Sequence, residues 1–356
     1  MDEGTASAGG SRTREPVPVL IASWLEAEEA QRIAAAEPNR IVLYYEPELL
    51  PTTRYVADHH GPPRNLSEHQ RRRWRQLLAL AEISFEFDWE APEMLVERCP
   101  RLRWVQSTSS GIGPLVRRLR LEQSDIRVTN AAGIHAQPLA EFVLMAALYF
   151  AKQVPTLTRW KKERHWERYC GEELAGKRMA LVGLGRVGRR IAELSCALGL
   201  EVIGHRRTTQ GVIPSGVRQV VGLEDLEALL PTVDFLVIAA PETDETIGII
   251  DSHRLGLLPE TAVLINVGRG SLVDEPKLIE MLQAGRLRGA CLDVFAQEPL
   301  PADSPLWAMP NVIVSPHSAS TVEQENGRLV DLFIENIGRY LEGAPLLNQF
   351  DYVRGY

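Results

Sequence analysis

The run Met179-Ala-Leu-Val-Gly-Leu-Gly-Arg-Val-Gly188 constrains the fold of this chain more than any other feature. Four apolar residues read as a strand. Gly183, Gly185 and Gly188 then fall at GxGxxG spacing, ahead of a segment with helical periodicity. Each glycine has its own physical reason. Gly183 permits the tight turn, Gly185 lets a diphosphate approach the backbone, and Gly188 lets the helix pack close to the strand. Leu184, Arg186 and Val187 fill the intervening positions. The unpaired N–H groups and positive dipole end of such a helix favour phosphate. A glycine turn without a ligand is the competing reading, and the strand before and helix after weigh against it.

A strand–turn–helix unit of this kind needs partners in a parallel sheet. The chain supplies apolar runs at Glu201–Gly204, Phe235–Ala239, Ala262–Val267, Gly289–Asp293 and Val312–Ser315. They are continuous rather than alternating, as expected where helices cover both faces of a sheet. A similar series lies upstream, at Pro16–Ala22, Arg40–Tyr45, Glu82–Phe87, Leu102–Ser107 and Ile126–Thr129. Helices are expected over Glu26–Ala36, from a Ser67 cap to about Ala81, from Pro138 to Ala151, and over Ser320–Leu341. The proline-rich stretch 46–66, with His59 and His60, reads as a long loop, and Arg71-Arg-Arg-Trp-Arg75 as a solvated helix face. At 356 residues, two α/β domains are expected.

Composition excludes several function classes. The net charge is −8, from 39 basic and 47 acidic residues, which argues against nucleic acid or an anionic membrane as the main partner. The four cysteines show no CxxC spacing, so no metal site is expected and a reducing, cytoplasmic setting fits. Residues 1–14 read as a flexible tail rather than a signal peptide.

The second strand after the glycine loop would usually end in an acidic residue for the adenine ribose. Here it ends in His205, Arg206 and Arg207. Two guanidinium groups suit a 2′-phosphate, so NADP(H) is expected over NAD(H), with two solvated surface arginines as the plain alternative. Three further groups stand just past strands: Arg269 in Asn266-Val-Gly-Arg-Gly270, Glu298 after Leu292-Asp-Val-Phe295, and His317 in Ser315-Pro-His317. Each alone could be an ion-pair residue, a cap or a loop histidine. Together, beside a dinucleotide cradle at the carboxyl edge of a sheet, they read as one catalytic constellation.

These runs, with Asn130-Ala-Ala-Gly-Ile-His-Ala136, Ala140-Glu141 and Pro241-Glu-Thr-Asp-Glu-Thr246, resemble the D-isomer-specific 2-hydroxyacid dehydrogenase family. That family includes glyoxylate/hydroxypyruvate reductases, phosphoglycerate dehydrogenases and formate dehydrogenases. The resemblance is strong from about Leu102 to Ala319. It implies two Rossmann-like α/β domains with parallel sheets, the cofactor domain (138–316) being inserted into a discontinuous substrate domain (15–137 and 317–356). It implies a cleft between the domains and a homodimer built through the cofactor domain. It also implies roles. Arg269 would bind the substrate carboxylate and polarise the keto oxygen. His317 would protonate that oxygen. Glu298 would orient the imidazole and favour its protonated form. Asp293 would hold the nicotinamide carboxamide, and Pro241, Thr246 and Val267 would line the cofactor site. The Ser110-Gly111-Ile112 turn would complete the carboxylate site. Gly113 departs from the aspartate many members carry, and Arg206 departs from the usual acidic residue. The implied activity is NADPH-dependent reduction of a small 2-keto acid, glyoxylate or hydroxypyruvate leading, to the D-2-hydroxy acid. NAD stays open as the cofactor. The rivals are a phosphoglycerate-, formate- or phosphite-type dehydrogenase, or a nucleotide-sensing protein like the co-repressors that share this fold.

Overall fold

Two units, each with its own parallel sheet, make up residues 15–352, which this computed structural model describes. The tail expected over 1–14 lies outside the described residues. One unit runs to Ala131 and resumes at Glu323, and the other is Ala132–Val322.

The first unit alternates strand and helix: β1 (Val17–Ile21), α1 (Ala27–Ala36), β2 (Ile41–Tyr44), α2 (Glu68–Leu80), β3 (Ile83–Phe85), α3 (Leu95–Arg98), β4 (Trp104–Gln106), α4 (Gly113–Arg118) and β5 (Arg127–Thr129). Its sheet order is β2-β1-β3-β4-β5. The Ser67 cap forms a reciprocal box, with Ser67 Oγ accepting the Gln70 amide and Gln70 Oε1 accepting the Ser67 amide. Trp74, Leu77 and Leu78, at helical spacing, are the buried face of α2. The basic run is not simply solvated. Arg71 pairs with Glu68 and Glu90, and Arg73 pairs with Glu46. In the 46–66 loop, buried Asp58 takes Arg54 through both carboxylate oxygens, at 2.8 and 2.9 Å.

The second unit carries α5 (Ala136–Ala151), α6 (Val154–Glu163), β6 (Arg178–Val182), α7 (Arg186–Ala197), β7 (Glu201–His205), β8 (Gln219–Val221), α8 (Leu223–Leu229), β9 (Phe235–Ile238), α9 (Ser252–Gly256), β10 (Val263–Asn266), α10 (Glu275–Gln283), β11 (Gly289–Leu292) and β12 (Val312–Val314). Helix α5 starts two residues before Pro138, whose missing N–H falls in the first turn, where no intrahelical acceptor would be waiting. Buried Ala140, Val143, Ala146 and Ala147 give α5 a flat apolar face within the core under β6 and β10. The sheet order is β12-β11-β10-β9-β6-β7-β8, all parallel. From β6 the chain proceeds outward one way through β7 and β8, then restarts at β9 on the other side. That reversal opens a crevice at the carboxyl ends of β6 and β9, where such sheets bind ligands. The short edge strand β8 and the helix α6 lack a strong sequence pattern and were not expected.

The chain returns to the first unit as α11 (Glu325–Glu342), which begins five residues later than Ser320. Its Phe333 ring stands 5.2 Å, centroid to centroid, from both Phe85 and Trp104, centring the first unit's core.

Candidate active site

The glycine loop has the geometry its spacing requires. Gly183 follows β6 at φ +101°, and a Cβ there would stand 2.7 Å from the Ala240 backbone beyond β9. A Cβ on Gly188 would stand 1.9 Å from the Gly183 carbonyl oxygen, so only glycine lets α7 start this close to β6. Gly185 caps α7 in extended conformation, and a Cβ there would meet open space. The loop therefore offers free room at a helix N-terminus, which suits a diphosphate. Leu184 is buried against Gly204 of β7, where a Cβ would lie 2.5 Å from a Leu184 methyl. The sequence reading treated Gly204 as ordinary strand, since packing across two strands has no local signature. Val187 is half-buried in the α5–α7 core, and Arg186 reaches back to donate to the Ala132 carbonyl oxygen. On the β9 side, Thr246 Oγ1 donates to the Pro241 carbonyl oxygen at 2.6 Å and closes the 241–246 turn. Val267, just past β10, is buried.

At the end of β7 the two arginines differ. Arg207 is exposed, and its Nη1 donates to both oxygens of Glu245, at 2.8 and 3.0 Å. Arg206 is half-buried. Its Nη2 donates to the Gln210 carbonyl oxygen at 2.9 Å, whereas its Nε is buried with no partner. A buried donor without an acceptor costs about 1–3 kcal/mol, a cost that a phosphate oxygen would remove. The glycine cradle and this orphaned guanidinium nitrogen fit a dinucleotide bearing a 2′-phosphate. His205, beside them, is buried, and burial followed by the nearby Arg254 charge lowers its pKa.

Strands β10, β11 and β12 end in register, with Asn266 paired to Leu292 and Leu292 to Val314. The three expected catalytic residues follow these ends. Buried Asn266 shapes the turn that carries Arg269: its Oδ1 accepts the Gly268 amide and its Nδ2 donates to the Arg269 carbonyl oxygen, both at 3.0 Å. Arg269 Nη1 bonds the Gly268 carbonyl oxygen, and its Nε and Nη2 have no partner among the described residues. Its guanidinium is thus largely available to an anion. Glu298 Oε2 and His317 Nδ1 stand 2.8 Å apart, which leaves Nε2 as the nitrogen that can face a substrate. Both side chains are partly exposed, at 37% and 44%.

Asp293 does more than the sequence reading assigned to it. It is 2% exposed, and its Oδ1 accepts the Ser315 hydroxyl and the amides of Ser318 and Ala319. Its backbone oxygen accepts the His317 amide at 2.9 Å. Four donors on one residue hold the turn in which His317 sits at φ +54°, a left-handed conformation that is costly for a side-chain-bearing residue. Asp293 Oδ2 has no hydrogen-bond partner among the described residues, so it can still accept from a carboxamide. Ser315 was missed as a site residue. A serine at a strand end is the only trace it leaves in sequence. The Ser110-Gly111-Ile112 turn belongs to the first unit, between β4 and α4. There Ile112 is buried, and the Gly111 amide donates to Ser109 Oγ at 3.3 Å. Among the described residues, no group of three or more His, Cys, Asp or Glu could hold a metal ion, and no helix is long and apolar enough to cross a membrane.

The chain is similar to proteins of one family. The family model for the D-isomer specific 2-hydroxyacid dehydrogenase NAD binding domain matches residues 144–319. A glyoxylate reductase of Aeropyrum pernix is 34% identical over 70% of this chain and 76% of its own length. A D-3-phosphoglycerate dehydrogenase of Methanocaldococcus jannaschii is 31% identical over 70% of this chain, but the match spans only 47% of that protein. An NADPH-dependent glyoxylate/hydroxypyruvate reductase from Sinorhizobium meliloti, solved with NADP and sulfate, superposes with a TM-score of 0.74. The two are 28% identical, and the match covers 96% of this chain and 100% of that one.

Proposed function

The chain belongs to the D-isomer-specific 2-hydroxyacid dehydrogenase family, and from that premise we propose that it reduces a small 2-keto acid of the glyoxylate/hydroxypyruvate kind to the D-2-hydroxy acid, with NADPH preferred. The observation that carries this reading is the 2.8 Å Glu298–His317 pair, together with an Arg269 with unfilled donors, all three following register-aligned strand ends. The glyoxylate reductase relative and the NADP-bound neighbour support the substrate class and the cofactor. The phosphoglycerate dehydrogenase relative fits the rival, over a smaller share of that protein.

When bound, the dihydronicotinamide supplies the hydride that reaches C2 of the keto acid. The cofactor's diphosphate is assigned to the cradle Gly183–Gly188 with Arg186, its 2′-phosphate to Arg206 and Arg207, and its carboxamide to Asp293 Oδ2. Pro241, Thr246 and Val267 line the same site. Arg269 forks onto the substrate carboxylate and draws electron density toward the keto oxygen, stabilising the charge that builds there. His317 Nε2 then gives its proton to that oxygen, and Glu298 fixes the orientation of the imidazole through Nδ1. The Ser110–Ile112 turn is a further candidate for carboxylate binding, tested by Ser110→Ala and its effect on KM. A panel of 2-keto acids assayed with NADPH and NADH tests the whole reading. Failure to turn over any small 2-keto acid with either cofactor would refute it.

We further infer a homodimer in the cytoplasm. Trp166 is 96% exposed, and Met145, Leu148, Leu157 and Tyr169 are exposed apolar or aromatic groups on and around α5 and α6. Apolar surface of this kind is usually covered by a partner. Light scattering on the purified chain and on Trp166→Ala checks this, a monomeric wild type counting against it. The four free cysteines fit a reducing compartment.

A further inference from the structure

Glu298 stands on a loop, and a loop position alone does not hold a carboxylate to the tolerance that proton transfer requires. The geometry points to Glu275 as the residue that sets where Glu298 stands, a positioning residue for the proposed reduction; this rests on the reading of Glu298 and His317 given above.

Glu275 is the first residue of α10. The helix end beneath it is anchored twice: Asp274 caps it by accepting the Lys277 amide at 3.1 Å, and the Asp274 amide donates to the Ile250 carbonyl oxygen at 3.0 Å. From this fixed base, Glu275 Oε2 accepts the Ala296 amide at 2.9 Å. The preceding amide, of Phe295, donates to Glu298 Oε1 at 3.1 Å. Two successive N–H groups are thus held by two carboxylates, one rooted in a helix and the other facing His317.

The Phe295–Ala296 peptide is also closely approached by Gly270, next to Arg269. A Cβ on Gly270 would stand 1.9 Å from the Phe295 carbonyl carbon and 2.4 Å from the Ala296 nitrogen. The Phe295–Ala296 peptide is therefore a common reference for the turn that carries Arg269 and the loop that carries Glu298. Without an acceptor for the Ala296 amide, the Phe295–Ala296 peptide loses its anchor, and through the shared Phe295 Cα the preceding peptide, whose N–H bonds Glu298 Oε1, loses its fixed orientation as well. Oε2 then loses its aim at His317 Nδ1. Glu275 touches neither substrate nor cofactor in this scheme, so its effect must appear in the proton step rather than in binding. Misplacement of about 1 Å costs up to roughly hundredfold in rate.

The test compares Glu275→Ala, Glu275→Asp and Glu275→Gln with wild type and with Glu298→Gln. Glu275→Asp keeps the charge at the helix end but shortens the reach, so it carries the test should the alanine variant fail to fold. The alanine and aspartate variants should lose roughly tenfold in kcat, the range expected for one charge-assisted hydrogen bond, with KM within about twofold. Their pH profile for reduction should change in the same sense as that of Glu298→Gln. Glu275→Gln, which keeps an acceptor at the same reach, should return both kcat and profile to near wild type. NADPH affinity, read by fluorescence, should be unchanged in all three. An unmoved profile in Glu275→Ala and Glu275→Asp would overturn the inference, as would a Gln variant as impaired as Ala, or a loss confined to NADPH affinity. If Glu298→Gln itself leaves the profile unmoved, the underlying reading of Glu298 fails instead.

Discussion

Replacing Arg206 by alanine should weaken NADPH binding while leaving NADH binding nearly unchanged. In this structure the side chain makes one hydrogen bond, from Nη2 to the Gln210 carbonyl oxygen, while its Nε is buried without a partner. Deleting it loses one ordinary bond and removes one unsatisfied donor, so the stability of the cofactor-free protein should change by no more than about 1 kcal/mol. The bound state is different. A charged hydrogen bond to phosphate contributes about 1.5–3 kcal/mol, or roughly ten- to hundredfold in Kd. Arg207→Ala should cost less, because Arg207 is exposed and must first leave Glu245. The assay is a titration of each variant with NADPH and with NADH, followed by energy transfer from tryptophan to the dihydronicotinamide, alongside a thermal melt. Equal weakening of both cofactors would refute a 2′-phosphate role for Arg206. A large fall in Tm without cofactor would show that the guanidinium is structural instead.

Arg269→Ala should lose most of kcat/KM with NADPH affinity intact, and Arg269→Lys should recover only part, since a point charge cannot reproduce the fork; near wild-type turnover in the alanine variant would make Arg269 structural. Glu298→Gln keeps the shape but replaces the carboxylate that faces His317 Nδ1, so kcat/KM should fall in both directions with NADPH affinity intact; wild-type kcat/KM against pH in the variant would mean that Glu298 does not act through His317. His205 is held neutral by burial and by Arg254, with its pKa below the unfolded value of about 6.5. The unfolded chain therefore binds the extra proton first. Stability should fall as pH drops through that value and level off below the folded pKa, and denaturation of His205→Asn should show a weaker acid dependence. Phe333→Ala, emptying the space between Phe85 and Trp104, should cost about 3–5 kcal/mol in denaturant unfolding.

The glycine cradle was legible because the left-handed turn at Gly183 and the approach of Gly188 to the Gly183 carbonyl oxygen are demands set within six residues, and local demands leave a fixed spacing in sequence. Arg269, Glu298 and His317 were legible for a related reason. Each follows a short apolar run, and in a parallel sheet every strand's carboxyl end faces the same edge. What the chain alone did not reveal was adjacency. That β12, β11 and β10 lie side by side, with Val314, Leu292 and Asn266 level, depends on burial contributed by segments far apart in sequence. The jobs of Ser315 and Glu275 depend on tertiary contact of this kind: Ser315 Oγ donates to the Asp293 carboxylate past the neighbouring strand, and Glu275 accepts the Ala296 amide from another loop. The same holds for Asp293, whose Oδ1 braces the turn of His317 from the neighbouring strand. Gly204 and Gly270 complete the contrast. They answer to Leu184 across the sheet and to Phe295 on another loop, so neither segment by itself says what its glycine packs against. Sequence determined which turns bear the chemistry, because turn and strand propensities act over a few residues; tertiary structure decided how those turns are braced against one another, because hydrogen bonds between distant backbone groups form only when the sheet order is set.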